Sequence, residues 1–170
     1  KRQGYDSDCM LFGAQAYTTV RWIGNEKGYA DKNTWSKSKV DYSKNTINSN
    51  SKSIYTVGFE DGNQWTVPEA DARITAHWFW GNSKKIPKSI ADLGSMYFGS
   101  VGNNATFLLN IPPNDEGTVD DAILARVAEF GKNIEETFDD NLAASQGAAV
   151  YADNVRGNDT AYKPSNTVDG

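Results

Sequence analysis

Short apolar runs alternate along this chain with stripes at helical spacing, and each predicts an element. Residues 9–12, bounded by Asp8 and Gly13, read as a short buried strand. Residues 14–53 hold few periodic segments and many Ser, Asn and Lys, which predicts a long loop region. Within it, residues 36–53 read as a mobile polar lid or insert. Residues 54–59 and 64–67 flank Glu60-Asp61-Gly62-Asn63, whose Asp-Gly pair marks a hairpin turn. Ile90, Leu93, Tyr97 and Val101 recur at helical spacing over 89–101, and Asn103-Asn104 ends that helix. Residues 106–111 then read as a buried strand stopped by Pro112-Pro113. Thr118 is the expected cap of a last helix, with Asp120 and Asp121 in its first turn favouring the dipole. Its core face would be Ile123, Val127, Phe130, Ile134 and Phe138.

Alternating strands and helices argue for an α/β barrel rather than a sandwich. About four strand-like segments make half of such a barrel, with two open sheet edges. A missing N-terminal half is therefore expected beside this piece, covalently or as a nicked complex. After Ala143 the residues turn small and polar, with one β-like stretch at Val150-Tyr151.

Composition narrows the function. The chain has 170 residues, enough for one domain with a core, and 12% aromatic residues suit a globular protein rich in Trp and Tyr. A net charge of −5 argues against nucleic acid or an anionic membrane surface as partner. No apolar run reaches the length of a membrane-spanning helix. The chain opens at Lys1 with no signal peptide, which suggests a piece cut from something longer. Cys9 is the single cysteine and reads as a buried small hydrophobe rather than a reactive thiol. Glycines between 94 and 102 form no phosphate-binding loop.

The densest chemistry lies in Val20-Arg21-Trp22-Ile23-Gly24-Asn25-Glu26-Lys27-Gly28-Tyr29 and on to Trp35. One carboxylate sits there among an arginine, an amide and three aromatics. Such a mixture suits sugars: aromatic faces stack on a pyranose, Arg and Asn donate to hydroxyls, and a partly desolvated Glu can carry a proton. A solvated loop Glu is the plain alternative.

This run, VRWIGNEKGYA, is followed by W-x-V-P-E-A-D from Trp65 to Asp71, then Trp78-Phe79-Trp80, then Leu108-Leu109-Asn110-Ile111-Pro112-Pro113, then the close at 134–143. The five blocks, in this order over roughly residues 8–143, resemble the α-L-fucosidases of glycoside hydrolase family 29. The resemblance is to the branch acting on α-1,3/1,4-fucosyl linkages of branched oligosaccharides. It implies an α/β fold for residues 1–143, the second half of a (β/α)8 TIM-like catalytic barrel. Val155 to Tyr162 and Pro164 to Gly170 resemble the opening of a discoidin-like (F5/8 type C) β-sandwich. Residues 144–170 are therefore expected to be a linker and the truncated start of a sugar-binding module, with which a structural calcium often goes.

The resemblance also implies roles. Retaining glycosidases use two carboxylates about 5–5.5 Å apart, one nucleophile and one acid/base. The family's acid/base glutamate maps to Glu26, whose proton affinity Trp22, Tyr29 and Trp35 would raise by desolvation. The nucleophile aspartate belongs to a block like W-F-D-G, which this sequence lacks. Asp6 and Asp8 precede the first strand, on the wrong end for barrel chemistry. The chain alone is expected to be inactive and to need no catalytic cofactor or metal; a lone His77 makes no metal site. His77 stands in Thr75-Ala76-His77 where many relatives have Arg-Pro-Gly, so no role is carried onto it.

Arg21 is a candidate donor to a substrate hydroxyl or else a structural ion pair, and Trp22 a sugar platform or else core. Glu69 would accept from a hydroxyl or serve as a buried structural carboxylate. Alternation would place Trp78 and Trp80 on one face for the sugar, with packing as the competing role. Asn110 is expected to be a structural amide. The implied protein is a secreted or cell-surface bacterial enzyme acting on a fucosylated glycan. A non-catalytic carbohydrate-binding barrel, a different exo-glycosidase and a proteolytic fragment with its partner still bound are the alternatives.

Overall fold

Period-two alternation builds most strands of this chain, although its buried members are often as small as Ala or Ser. The structure, a computed structural model, describes residues 9–52, 55–81, 86–142 and 149–167. Asp6, Asp8, Ile54, Ala143, Ala148 and the residues from Val168 to Gly170 lie outside the described residues. In chain order the strands are β1 (Val20–Trp22), β2 (Lys37–Asp41), β3 (Thr46–Asn48), β4 (Ser51–Lys52), β5 (Tyr55–Thr56), β6 (Gln64–Trp65), β7 (Val67–Arg73) and β8 (Thr106–Asn110). The helices are α1 (Ile90–Ser100) and α2 (Asp121–Phe138). The chain divides into two compact units, one ending at Val127 and one beginning at Ala128.

The first unit is an α/β fold with mixed sheets. A parallel sheet runs in the order β1-β7-β8, extended beyond β1 by a parallel bridge between Phe12 and Val20. β7 is its centre. Pro68, Ala70 and Ala72 are buried on one face, while Val67, Glu69, Asp71 and Arg73 alternate onto the other. Register places Trp22 opposite Glu69, and Leu108 and Asn110 opposite Asp71 and Arg73, so these side chains share that second face. Arg21 lies opposite Pro68, on the buried side. Ile23, Ala30, Ala70 and Ala105 form a core cluster there.

Several expectations need correction. The loop expected over residues 36–52 carries strands instead: β2 pairs antiparallel with β3 and β6, and β4 pairs with β5. A short hydroxyl takes one inward position of β2 beside buried Val40, as Ser38 Oγ bonds Thr66 at 2.7 Å and Ser49 at 3.0 Å. The Asp61-Gly62 turn forms, but β5 and β6 do not pair across it, because β2 takes β6. A Cβ on Gly62 would stand 2.6 Å from that of Lys37, so close approach of β2 accounts for the glycine. The expected buried strand over residues 9–12 shrinks to the Phe12 bridge, and Cys9, Met10 and Phe12 are exposed at this sheet edge. β8 is not wholly buried either, because Leu108 lies half-exposed on the Asp71 face.

α1 begins where expected. Ser89 and Asp92 form a reciprocal capping box, and Leu93 is fully buried. The helix gives way to a tight turn at Val101–Asn103, after which Asn104 adopts a left-handed conformation. The Asn103 amide then donates to the Ala30 and Gly99 carbonyls, and that of Asn104 to the Thr34 carbonyl and the Ser36 hydroxyl. α2 starts at Asp121, and the Thr118 hydroxyl donates to the Asn114 side chain instead of capping it. Ile123 is its buried anchor, whereas Phe138, expected in the core, is exposed.

In the second unit the rest of α2 is followed by tight turns at Arg156–Asn158, Thr160–Tyr162 and Pro164–Thr167. The stretch at Val150-Tyr151 is not a strand, and Tyr151 is exposed. No described helix is long and apolar enough to cross a membrane.

Candidate active site

Three chain segments meet at the C-terminal end of the parallel sheet, where α/β proteins place their ligands. The loop leaving β1 is steered by β7, as Ile23 N–H donates to the Glu69 carbonyl at 2.9 Å and Gly28 N–H to that of Asp71 at 3.0 Å. Asn25 is buried and folds the intervening turn, accepting from Lys27 N–H at 3.0 Å and donating to the Tyr29 carbonyl at 3.2 Å. That leaves Glu26 at the tip. The segment after β7 supplies Trp78, whose Nε1–H donates to Glu26 Oε2 at 2.8 Å. The end of β8 supplies Asn110, whose amide donates to the Trp78 carbonyl at 2.9 Å and fixes that residue. Glu26, Asp71, Trp78, Phe79 and Asn110 line an open cleft of about 330 Å³.

The cleft carries acceptors and flat rings together. Trp22 lies beside it and donates from Nε1 to Asp71 Oδ1 at 2.6 Å, a charge-assisted bond. The Arg73 guanidinium lies 5.6 Å from the centre of the Trp78 ring, within cation–π range. Glu69 is on the same sheet face. Burial, and then the charge of Asp71, push its carboxyl above the ordinary range.

That direction makes a prediction. The folded protein holds the Glu69 proton more firmly than the unfolded chain does. The resulting stability is present below the ordinary carboxylate pKa of about 4.3 and is lost as pH rises from there through the raised value. Glu69→Gln is expected to flatten the fall in melting temperature from acid toward neutral pH. Thermal unfolding across that range checks it, and an unchanged slope would refute it.

The structure brings Glu26 and Trp78 together, with Trp22 and Glu69 alongside. It does not bring Arg21 or Trp80. Arg21 is only 5% exposed on the opposite side of the sheet. It donates to the Thr56 carbonyl at 2.5 Å, to the Thr56 hydroxyl, and to the Trp35 carbonyl at 2.9 Å. Burial lowers its pKa to about 10, so it stays charged at neutral pH. Trp80 donates to Asp120 Oδ2 at 3.0 Å rather than sharing the cleft with Trp78, because the chain bends after β7 and breaks the alternation.

The aromatic shell expected around Glu26 is also dispersed. Tyr29 packs against Gly99 of α1, Trp35 lines a different pocket, and Glu26 is exposed. Asp71 and Phe79 are the lining residues that sequence reasoning passed over. Asp71 was recoverable, since two residues on from Glu69 along a strand means the same face. Among the described residues, no three or more His, Cys, Asp or Glu converge as a metal site requires.

Carboxylates, indoles and an amide around an open cleft at a strand end suit a sugar, with rings for its apolar face and polar groups for its hydroxyls. No family model matches the chain. It is 34% identical over 151 residues to α-L-fucosidase 1 of Arabidopsis thaliana, a match covering 88% of this chain and 29% of that one. A solved Ruminococcus gnavus family 29 fucosidase in complex with fucose is 67% identical, with a TM-score of 0.91, over 98% of this chain and 33% of that one. A family 29 glycoside hydrolase from an unknown rumen bacterium is 28% identical, with a TM-score of 0.67, over 80% of this chain and 23% of that one. The chain thus spans about a third or less of the length of the relatives it matches. The proteins that this chain resembles over these stretches are thus α-L-fucosidases and members of glycoside hydrolase family 29.

Proposed function

We propose that this chain is part of an α-L-fucosidase, a retaining exo-glycosidase that removes terminal α-1,3/1,4-linked L-fucose from oligosaccharides or glycoconjugates. The observation that carries the reading is Glu26 at the end of the parallel sheet, its carboxylate held by the Trp78 indole at 2.8 Å. In this reading Glu26 protonates the glycosidic oxygen as the bond to fucose breaks, then takes a proton from the water that releases the sugar. The nucleophile is an aspartate on a segment outside this sequence, which has no block like W-F-D-G. Trp78 and Phe79 would meet the apolar side of the sugar, Asp71 and Glu69 its hydroxyls, and Trp22 would hold Asp71 in place.

The parallel strands then form the second half of a (β/α)8 barrel whose first half is the required partner. Residues 144–170 would be a linker and the first segment of a discoidin-like module, to which any structural calcium would belong. The sugar-processing role fits a secreted or cell-surface bacterial enzyme. The test is a panel of aryl glycosides given to the full-length protein, with native mass spectrometry of this chain beside it. The expected result is release from the aryl α-L-fucoside, with the first-formed sugar keeping its anomeric configuration, and no turnover by this chain alone. Sugar binding without turnover, or preference for another glycoside, would overturn it.

A further inference from the structure

Trp35 stands apart from the Glu26 cleft, 42% exposed as a residue although its backbone is pinned at both ends. Its N–H donates to the Val57 carbonyl at 2.8 Å, and its carbonyl accepts from Arg21 Nη2 at 2.9 Å. Around it is a pocket of about 240 Å³ walled by Asp31, Asn33, Asn50, Phe59 and Glu60. We propose that this pocket is a second saccharide-binding site, holding a neutral hexose unit of the glycan away from the bond to be cut.

The walls select the ligand. A fixed, half-open indole is a platform for the apolar face of a pyranose. Carboxylates and amides accept from and donate to vicinal hydroxyls, and their side chains are already positioned. Asp31 Oδ1 takes the Asn33 N–H at 2.8 Å, and Asn50 Nδ2 donates to the Gly58 carbonyl at 3.3 Å. Asp31 and Glu60 disfavour an anion, which argues against a nucleotide or a sulfated sugar. Lys39 Nζ lies 4.7 Å over the Phe59 ring, which leaves Trp35 as the platform. The volume falls below the usual drug-sized range and suits a single ring.

This pocket and the Glu26 cleft share no lining residue. Trp35 is tied to Arg21 on the buried side of the sheet, whereas Asp71 points from the other face. Occupancy of one site therefore leaves the other open. A glycan with several branches would be held by a hexose here while a fucosyl end is processed, which raises its effective concentration at the cleft.

The inference rests on the glycan-acting reading, and the experiment separates the two. The full-length protein is saturated with L-fucose and titrated with galactose and N-acetyllactosamine, with binding followed by saturation-transfer NMR and calorimetry. Binding beyond the fucose site is expected, at least tenfold weaker in Trp35→Ala and retained in Trp35→Phe. In Trp35→Ala, kcat/KM on an aryl α-L-fucoside stays within twofold, while release of fucose from a branched glycoprotein falls severalfold. No second binding event, binding indifferent to Trp35→Ala, or an equal loss on the aryl substrate would each overturn the proposal. A protein without fucosidase activity that still binds hexose through Trp35 would sink the fucosidase reading and keep this one.

Discussion

Glu26→Gln in the full-length protein is expected to lower kcat on natural glycans by about 10²- to 10⁴-fold, the usual worth of a positioned general acid. Glutamine keeps the shape and can still meet the Trp78 Nε1–H, which now lies 2.8 Å from the carboxylate, so geometry is preserved and only the proton is lost. The loss should depend on the leaving group. A sugar alkoxide must be protonated to depart, whereas an acidic phenol departs unaided. An aryl fucoside with such a phenol should therefore form the fucosyl-enzyme at a near-normal rate and then stall, because water lacks its base. Azide needs no base and should restore turnover of that substrate. Steady-state and burst kinetics on the two substrate types, with and without azide, decide the matter. Equal losses on both, with no azide response, would make Glu26 a binding or structural residue.

Gly58→Ala is expected to cost at least about 2 kcal/mol of folding stability, with a melting temperature lower by several degrees. Gly58 has φ +72°, and a Cβ there would lie 2.4 Å from the Trp35 carbonyl oxygen and 2.7 Å from that of Lys37. Both neighbours are backbone and cannot swing aside. The Trp35 oxygen is also the acceptor for Arg21, so the disturbance would reach a buried guanidinium. Gly94→Ala is the matched control: nothing lies within 4 Å of its Cβ position inside α1, and alanine should be neutral or stabilising by up to about 1 kcal/mol. Thermal unfolding of both variants in the full-length protein tests the contrast. A Gly58→Ala protein as stable as the parent would show that the two backbone segments can separate at little cost.

Legibility in the sequence followed the strength of local signals. α1 was readable because a capping box and a 3.6-residue stripe coincide at Ser89 and Leu93. β7 was hidden because its buried face is Pro68, Ala70 and Ala72, which do not stand out as a hydrophobic run, and because a proline argues against a central strand. β2 was hidden because its inward positions include Ser38, whose burial is offset by hydroxyl partners far along the chain. At the site, Glu26 and Trp78 could be named from their blocks, yet the hydrogen bond joining them spans two separate strand ends and no local pattern encodes it. Arg21 shows why neighbours in sequence need not share a site. Its place beside Glu26 in sequence suggested a shared ligand, but successive residues of a strand point to opposite faces, and Arg21 went to the buried one.

The paired asparagines after α1 are also two positions where chemical ageing would do structural harm. Their side-chain amides hold four backbone and hydroxyl oxygens along residues 30–36 and at Gly99. Deamidation would turn each NH₂ donor into a carboxylate oxygen facing the carbonyls of Ala30, Gly99 and Thr34, so attraction becomes repulsion there with no change in size. Deamidation at Asn103 or Asn104, read as a mass gain there, should therefore loosen the segment from Glu26 to Trp35 before the sheet itself is affected.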